Sequence, residues 1–76
     1  MPELLKHRQK LIVTLQKGED NWIVAECPSI PGCMSQGKTE AAALRNIRSA
    51  IRVCLKVRKE QGLSPTIEIR EVEIAV

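Results

Sequence analysis

The sequence predicts an α+β fold with the element order β-β-β-α-β, in which a three-stranded antiparallel meander is followed by one long helix and a final strand. Apolar side chains alternate with their neighbours in an early segment and again near the C-terminus, which is typical of strands. Between these segments, residues 40–60 repeat apolar side chains at spacings of three and four, which is typical of a helix with one buried face. We therefore expect the helix to pack on one face of the sheet.

The first predicted strand covers residues 9–17, and turn-forming residues at 18–21 join it to a second predicted strand at residues 22–27. The two segments are therefore expected to form a hairpin. Both faces of the second strand are mostly apolar, so we expect the helix to cover one face and another molecule, or another part of this chain, to cover the other. One face of the first strand carries Leu11, Val13 and Leu15.

A proline-rich loop is predicted after the second strand. Pro28 has no backbone N–H to donate to a strand ladder, so the strand stops before it. Pro31 and Gly32 suit the two central positions of a type II turn, because proline fixes φ at about −65° and glycine tolerates a positive φ. The chain is then expected to return as a third, short strand.

The helix is predicted over residues 40–60. Thr39 precedes an alanine-rich first turn, and its hydroxyl is placed to cap the helix. Gly62 is placed to adopt the left-handed conformation that ends many helices. The predicted buried stripe consists of Leu44, Ile47, Ile51, Cys54 and Leu55, and it is widened by Ala43, Ala50 and Val57.

The final strand is predicted over residues 66–76, and its apolar alternation changes phase. Apolar residues up to position 69 share one face, whereas those from position 72 onward share the opposite face. A β-bulge near Arg70 and Glu71 would produce this shift in a strand that lies beside the first strand. Alternatively, residues 72–76 leave the sheet and pair with another protomer, which would bury an apolar edge. Both alternatives fit the pattern.

Length and composition limit the class of protein. With 76 residues, of which 43% are hydrophobic, the chain is expected to form a single domain over residues 1–76 with a thin core, and to gain from assembly into a homodimer or homotetramer. No apolar segment approaches the roughly 20 residues of a membrane-spanning helix, and the charged N-terminal segment differs from a signal peptide. The expected location is therefore the cytoplasm.

The three cysteines are Cys27, Cys33 and Cys54. Their spacing fits neither a zinc site nor a disulfide framework, and disulfides are rare in the cytoplasm. We therefore interpret all three as buried thiols, with Cys54 on the apolar face of the helix.

The acidic residues do not suggest catalysis. Metal-dependent nucleases need several carboxylates that converge on one site, whereas the acids here are scattered over a turn, the helix start and the last strand. Glu26 is the only acid placed to face inward from a central strand, and the single histidine, His7, precedes the first strand. We therefore expect no enzymatic activity, metal, cofactor or small-molecule substrate. An RNA-hydrolysing enzyme that depends on Glu26 is the remaining alternative.

Five basic residues lie along one side of the predicted helix, opposite or adjacent to the apolar stripe. Such a ridge can bind phosphates or an acidic protein surface, although most charged helix faces are only solvated. Trp22 is the sole aromatic residue, so stacking against nucleic-acid bases is not supported. The possible nucleic-acid-binding residues are Arg45, Arg48, Arg52, Lys56 and Lys59.

Residues 22–39, WIVAECPSIPGCMSQGKT, resemble the HicB-like antitoxin family. The shared pattern is an aromatic strand, a P-x-x-P-G-C loop, an S-x-G-x-T link and an alanine-bearing helix, and it extends over roughly residues 10–60. The resemblance implies a partial ribonuclease-H-like fold that binds and blocks a small RNA-cleaving toxin of the HicA type. The matching positions are Trp22, Pro28, Pro31, Gly32, Cys33, Ser35, Gly37, Thr39, Ala43 and Ile47.

The expected partner-binding residues lie at the start of the second strand, in the proline-rich loop and in the final strand. A stiff exposed loop loses little entropy on binding, and large aromatic side chains often anchor interfaces. Residues 61–76 are too few and too strand-like for a helix-turn-helix, so this chain is not expected to bind operator DNA. The predicted residues are Trp22, Pro28, Ser29, Ile30, Pro31, Gly32, Met34, Val72 and Ile74.

Overall fold

A computed structural model describes residues 10–76 of the chain. Three short strands form one antiparallel sheet in the order β1-β2-β3, and one long helix follows the third strand. The predicted α+β class, meander and helix are therefore confirmed. The elements are β1 (Thr14–Lys17), a 3₁₀ turn (Glu19–Asn21), β2 (Ile23–Glu26), β3 (Met34–Gly37) and α1 (Glu40–Glu60).

β1 is shorter than predicted because its partner strand ends early. Thr14 pairs with Glu26, the last residue of β2, and the chain turns immediately afterwards at Cys27. In the described chain, residues 11–13 therefore precede the ladder, although Leu11 and Val13 still pack against the core. The predicted start of this strand at residue 9, and the prediction about His7, lie outside the described residues.

The β1–β2 hairpin closes through the predicted turn. The N–H of Gly18 donates to the carbonyl of Trp22 at 2.7 Å, and the N–H of Trp22 donates to the carbonyl of Glu19 at 3.1 Å. Asp20 and Asn21 have positive φ angles of 56° and 64°. Aspartate and asparagine are the residues that enter this region most readily after glycine, so the turn cluster suits its backbone.

Both predicted ends of α1 are confirmed. The hydroxyl of Thr39 accepts a hydrogen bond from the N–H of Ala42 at 3.1 Å, so it caps the first turn. At the other end Gly62 has a φ of 73°, and the N–H of Leu63 donates back to the carbonyl of Arg58, which is a Schellman ending. Within residues 10–76 no helix is long and apolar enough to cross a lipid bilayer.

The core lies between α1 and one face of the sheet. Ala43 and Ile47 are buried, and the rest of the predicted stripe packs around them, except that Leu44 and Val57 remain 37% and 42% exposed. The sheet has only three strands, so the flanks of the helix stripe extend beyond it. The buried residues are Ala25, Cys27, Ile30, Cys33, Ala43 and Ile47, and those packed against them are Leu11, Val13, Ile23, Ala50, Ile51, Cys54 and Leu55.

Gly37 permits the close approach of α1 to β3. A Cβ atom at this position would lie 2.5 Å from the backbone nitrogen of Ala43 and 2.7 Å from the carbonyl carbon of Ala42. Both atoms belong to the helix backbone, which cannot move aside as a flexible side chain could. The side-chain amide of Asn46 also donates to the carbonyl of Gln36 at 2.8 Å, which joins the same two elements.

The structure does not show the final strand predicted over residues 66–76. Within residues 10–76 this segment pairs with no strand, and one backbone hydrogen bond joins it to the rest of the described chain, from the N–H of Ile67 to the carbonyl of Ser29 at 2.7 Å. The β-bulge predicted at Arg70 and Glu71 is therefore not shown either. Because the apolar residues switch faces along this segment, no single register of one strand buries all of them against one layer.

Candidate interaction site

The loop between β2 and β3 is built from two successive turns. The N–H of Ile30 donates to the carbonyl of Cys27 at 3.0 Å, and the N–H of Cys33 donates to the carbonyl of Ile30 at 3.1 Å. A third bond, from the N–H of Cys27 to the carbonyl of Cys33, closes the base at 3.0 Å. Gly32 has a φ of 76°, so the predicted type II turn at Pro31–Gly32 is confirmed.

Ile30, one of the predicted partner-binding residues, is not accessible in this structure. Ile30 is 1% exposed, and its side chain belongs to the buried core together with Cys27 and Cys33. Ile30 ends the first turn and begins the second, and its side chain is directed into the core beneath the loop. Ile30 therefore anchors the loop to the core, a role that spacing alone does not reveal in a connection of seven residues, 27–33.

The other predicted loop residues are accessible to different degrees. Pro28, Pro31 and Gly32 are exposed, and Ser29 is half-buried. Met34, the first residue of β3, is 54% exposed and faces the side of the sheet away from α1. The loop therefore presents a stiff surface of two prolines, with a flexible apolar side chain close to it.

Trp22 is half-buried, as expected from its position at the start of β2. The ammonium group of Lys38 lies 5.4 Å from the centre of the indole ring, which is within the range of a cation–π contact. The sequence analysis did not identify this pair, because the two residues are brought together only when β3 returns beside β2. The contact leaves part of the ring accessible to a partner.

The face of the sheet opposite α1 is more polar than β2 alone predicts. Val24 is flanked across the sheet by Gln16 and Gln36, and Glu26 is flanked by Thr14 and Met34. The side chains from β1 and β3 are exposed and mostly polar. The expected bare apolar sheet face is therefore reduced to Val24, Met34 and the edge of Trp22.

The predicted basic ridge is exposed along α1 and adjoins the apolar stripe. Arg48, Arg52 and Lys59 lie along the rim of a cavity of ≈ 1210 Å³ whose floor is formed by apolar side chains. Arg45 and Lys56 are exposed farther from it. None of the five forms an ion pair with another described residue. The apolar floor residues are Leu11, Ile51, Leu55 and Leu63, and Lys10 adds a further cation to the rim.

This cavity and a smaller one share Leu11, Arg48 and Ile51, and the two together are called the α1–β1 groove. The smaller cavity is also lined by Val13, Leu44 and Ile47. β1 is an edge strand, because the sheet order places β2 on one side of it and no described strand on the other. Helical spacing predicted that the cations lie beside the apolar stripe of α1. It did not predict that residues 10–13 form the other side of the groove.

The three cysteines are free thiols that lie close together in or near the core. Burial raises the pKa of the Cys33 thiol to about 12, with further contributions from a hydrogen bond with Cys54 and from the neighbouring Cys54 and Cys27. A thiol with such a pKa stays protonated near neutral pH and is a poor nucleophile. Cys27 and Cys33 are buried as predicted, whereas Cys54 is half-buried.

The carboxylates of the described chain are dispersed. Glu26, the acid predicted to face inward, is exposed on the open face of the sheet. Within residues 10–76 no cluster of three or more histidine, cysteine, aspartate or glutamate side chains is placed to hold a metal ion. Val72 and Ile74, predicted to bind a partner, are 80% and 76% exposed in the C-terminal segment.

Comparison with known proteins identifies relatives of similar size. No protein-family model matches the chain, and no solved structure matches it. A UPF0150 protein of Thermoplasma acidophilum is 43% identical over 53 residues, which cover 70% of this chain and 77% of the relative. A UPF0150 protein of Synechocystis is 31% identical over 68 residues, covering 90% of this chain and 99% of the relative.

The chain belongs to the UPF0150 family. A third UPF0150 protein, from Archaeoglobus fulgidus, is 31% identical over 65 residues, covering 86% of this chain and 94% of the relative. Because the UPF0150 relatives from Synechocystis and Archaeoglobus are covered over nearly their whole length, the similarity extends well beyond the proline-rich loop.

Proposed function

We propose that this UPF0150 protein is a non-catalytic interaction module of the HicB antitoxin type, which binds a small RNA-cleaving toxin of the HicA type and blocks its activity. The observation that carries the proposal is the rigid, exposed β2–β3 loop, in which Pro28 and Pro31 are held outward by two turns. Since the toxin that it would bind acts on RNA, the proposal places the protein in the cytoplasm.

The loop suits protein binding for a thermodynamic reason. Three backbone hydrogen bonds and the buried Ile30 already fix its conformation, so a partner does not have to order it on binding. Met34 and the half-buried Trp22 supply apolar contact area, and a methionine side chain adapts to an irregular partner surface. Large aromatic side chains are the most frequent binding hot spots.

The proposal assigns no catalytic role to this chain. Glu26 is exposed on the open sheet face, and the other acids of residues 10–76 lie in the hairpin turn, at the helix ends and in the C-terminal segment. Blocking a toxin requires only that the bound protein covers the toxin's working surface. Blocking therefore depends on affinity and surface complementarity, and it requires no reactive group.

The test is co-expression and pull-down with the product of the adjacent reading frame. We expect that product alone to stop growth, and co-expression of the wild-type protein to restore it. Met34→Glu places a charge in the proposed contact surface and is expected to weaken the complex at least about tenfold, or about 1.4 kcal/mol. Val53→Glu is the matched control, because Val53 is also an exposed apolar residue, at 63%, but lies on α1.

Absence of a complex, or of toxicity from the adjacent frame, would remove the antitoxin assignment. Equal loss of binding in Met34→Glu and Val53→Glu would move the contact surface away from the loop. Circular dichroism of both variants establishes that they remain folded.

A second candidate function, nucleic-acid binding, is favoured by the basic ridge. Five exposed cations lie on one side of α1, and three of them, with Lys10, border the same groove. Arginine side chains pair well with phosphate groups, and binding of this kind depends strongly on salt. The net charge of +3 adds a general attraction to polyanions.

Fluorescence anisotropy with labelled single-stranded RNA tests this second function. If the ridge binds phosphates, affinity should fall steeply between low and physiological salt, and Arg48→Glu or Arg52→Glu should weaken binding further. Lys17→Glu changes the charge equally at an exposed position on β1, away from the ridge, and serves as the control. Binding that is absent, or equally affected by all three variants, would reject the ridge as a nucleic-acid site.

A further inference from the structure

The C-terminal segment divides into an anchored part and a free part. Ile67 and Ile69 are each 46% exposed and lie beside Leu11 and Ser29, where the N–H of Ile67 donates to the Ser29 carbonyl. Within the described chain, no hydrogen bond joins residues 70–76 to any residue before Glu68. The large apolar side chains of that part, Val72, Ile74 and Val76, are 76% exposed or more. We call residues 70–76 the C-terminal arm. The arm begins where the apolar residues change from odd to even positions, so its apolar side chains lie on the opposite face of the chain from those of the anchored part.

The free edge of β1 offers the complementary surface. Among residues 10–76 no strand pairs with the side of β1 that faces away from β2, and exposed strand edges of this kind tend to pair with other strands. Next to this edge lies the α1–β1 groove, whose lining is mostly apolar and partly accessible, with Leu44 37% exposed. One further strand at this edge would cover the flank of the helix stripe that the three-stranded sheet leaves open.

The arm and the groove match in length and in charge. The arm has seven residues, and the edge formed by residues 11–17 also has seven. Residues 70–76 contain two glutamates and one arginine, which gives a net side-chain charge of −1, whereas the rim of the groove carries Lys10, Arg48, Arg52 and Lys59. Opposite charges on two surfaces accelerate their association and disfavour wrong partners.

We propose that residues 70–76 of one copy add a strand to the free edge of β1 in a second copy, and that the second copy returns its own arm. Both copies then bury the same apolar face, which gives a closed two-fold dimer. Pairing across two chains fits the exposure of the arm, because the anchored part is already held beside Leu11 and Ser29 of its own chain whereas Val72, Ile74 and Val76 are at least 76% exposed. This inference goes beyond the proposed function and does not depend on it.

Solution mass and the strength of association test the proposal first. Light scattering of the full chain should give a dimer, and Ile74→Lys should raise the dissociation constant at least about tenfold, because it places a cation in an apolar groove with a basic rim. Val53→Lys changes an exposed apolar residue of α1 in the same way and should leave the dimer intact. Far-UV circular dichroism should show all three proteins folded. A monomeric wild type, or a dimer unaffected by Ile74→Lys, would overturn the proposal.

Cross-linking between isotopically distinct copies then identifies the contact. A photo-reactive amino acid replaces Ile74, and light and ¹⁵N-labelled protein are mixed, denatured and refolded together before illumination. We expect cross-links from position 74 to the peptide that contains residues 11–16, with half of them joining a light chain to a heavy chain after full mixing. If no cross-link joins a light chain to a heavy chain, each arm folds back on the β1 strand of its own chain. Cross-links from position 74 to other peptides would place the arm on another surface. Either result would overturn the proposal.

Discussion

Individual residues of this small core have roles that their side-chain chemistry alone does not indicate. Cys33 is 1% exposed and carries a thiol whose pKa is raised to about 12, mainly by burial. It packs with Cys27 and Ile30, so a polarisable thiol serves as a compact apolar filler. Since residues 10–76 contain only six buried hydrophobic residues, each such position has a large share in stability.

The raised pKa of Cys33 predicts a loss of stability in alkaline solution. Above its ordinary pKa of 9.0 the unfolded chain releases the thiol proton, whereas the native protein retains it until about pH 12. The unfolded state then binds fewer protons, so the free energy of unfolding falls as pH rises, by at most about 1.4 kcal/mol per pH unit. Urea unfolding between pH 8 and 11 measures this slope. Cys33→Ala should lack this contribution, and an identical slope in that variant would contradict the prediction.

Two glycines are required for different physical reasons, which predicts different responses to substitution. Gly37→Ala should lower the free energy of unfolding by about 2–3 kcal/mol, because the new Cβ overlaps the backbone of α1. Gly32→Asn should cost less than about 1 kcal/mol, because no atom lies within 4 Å of its Cβ position and asparagine tolerates a positive φ. Denaturant unfolding compares the two variants, and equal losses would refute the steric explanation for Gly37.

At the scale of elements, α1 is fixed by its ends and by one face. Thr39 begins the helix, Gly62 ends it, and Asn46 joins its first half to β3 through the carbonyl of Gln36. A hydrogen bond from the side chain of Arg58 to the carbonyl of Ser64, at 2.6 Å, extends this order into the segment that follows. Because both ends of the helix are fixed, the positions of the basic side chains along α1 are fixed relative to one another.

The capping hydrogen bond of Thr39 predicts a measurable loss. Thr39→Ala removes the acceptor for the N–H of Ala42 and should lower the free energy of unfolding by about 1 kcal/mol. Thr39→Ser keeps a hydroxyl at the same place and should retain most of the stability. Thermal and urea unfolding of both variants test the assignment. A serine variant as unstable as the alanine variant would show that the threonine methyl group, and not the cap, is responsible.

At the scale of the whole molecule, the chain has more apolar surface than its own sheet can cover. The α1–β1 groove and the C-terminal arm are both accessible in a single copy, and they are complementary in charge and length. Met34 of the proposed loop surface lies on β3, at the edge of the sheet opposite β1, so dimer formation through the arm leaves Met34 available to a different partner. One fold would then support both self-association and partner binding.

Assembly through the arm predicts that thermal stability depends on protein concentration. Because dimer formation stabilises only the folded state, the Tm of the wild type should rise as the protein concentration is increased a hundredfold. In Ile74→Lys the Tm should vary much less over the same range. Differential scanning calorimetry at several concentrations measures both, and a wild-type Tm that does not change would contradict the prediction.

Local patterns in the sequence determined most of the fold. The type II turn at Pro31–Gly32, the cap at Thr39 and the left-handed Gly62 each depend on the conformational preferences of one or two residues, and all three were predicted correctly. The long helix follows from its apolar spacing in the same way. At the candidate site, the exposure of most of the loop and of the basic ridge was predicted for the same reason, since these features depend on neighbours in the sequence.

Only the tertiary structure decided the features that depend on contacts between distant segments. Burial of Ile30, the steric need for Gly37 and the groove between α1 and residues 10–13 all arise from the way the helix lies on the sheet. The C-terminal segment gives the clearest case. Its alternating residues indicated a strand, but a strand forms only where a partner edge and a single buried face are both provided, and within residues 10–76 this segment pairs with no strand of the sheet.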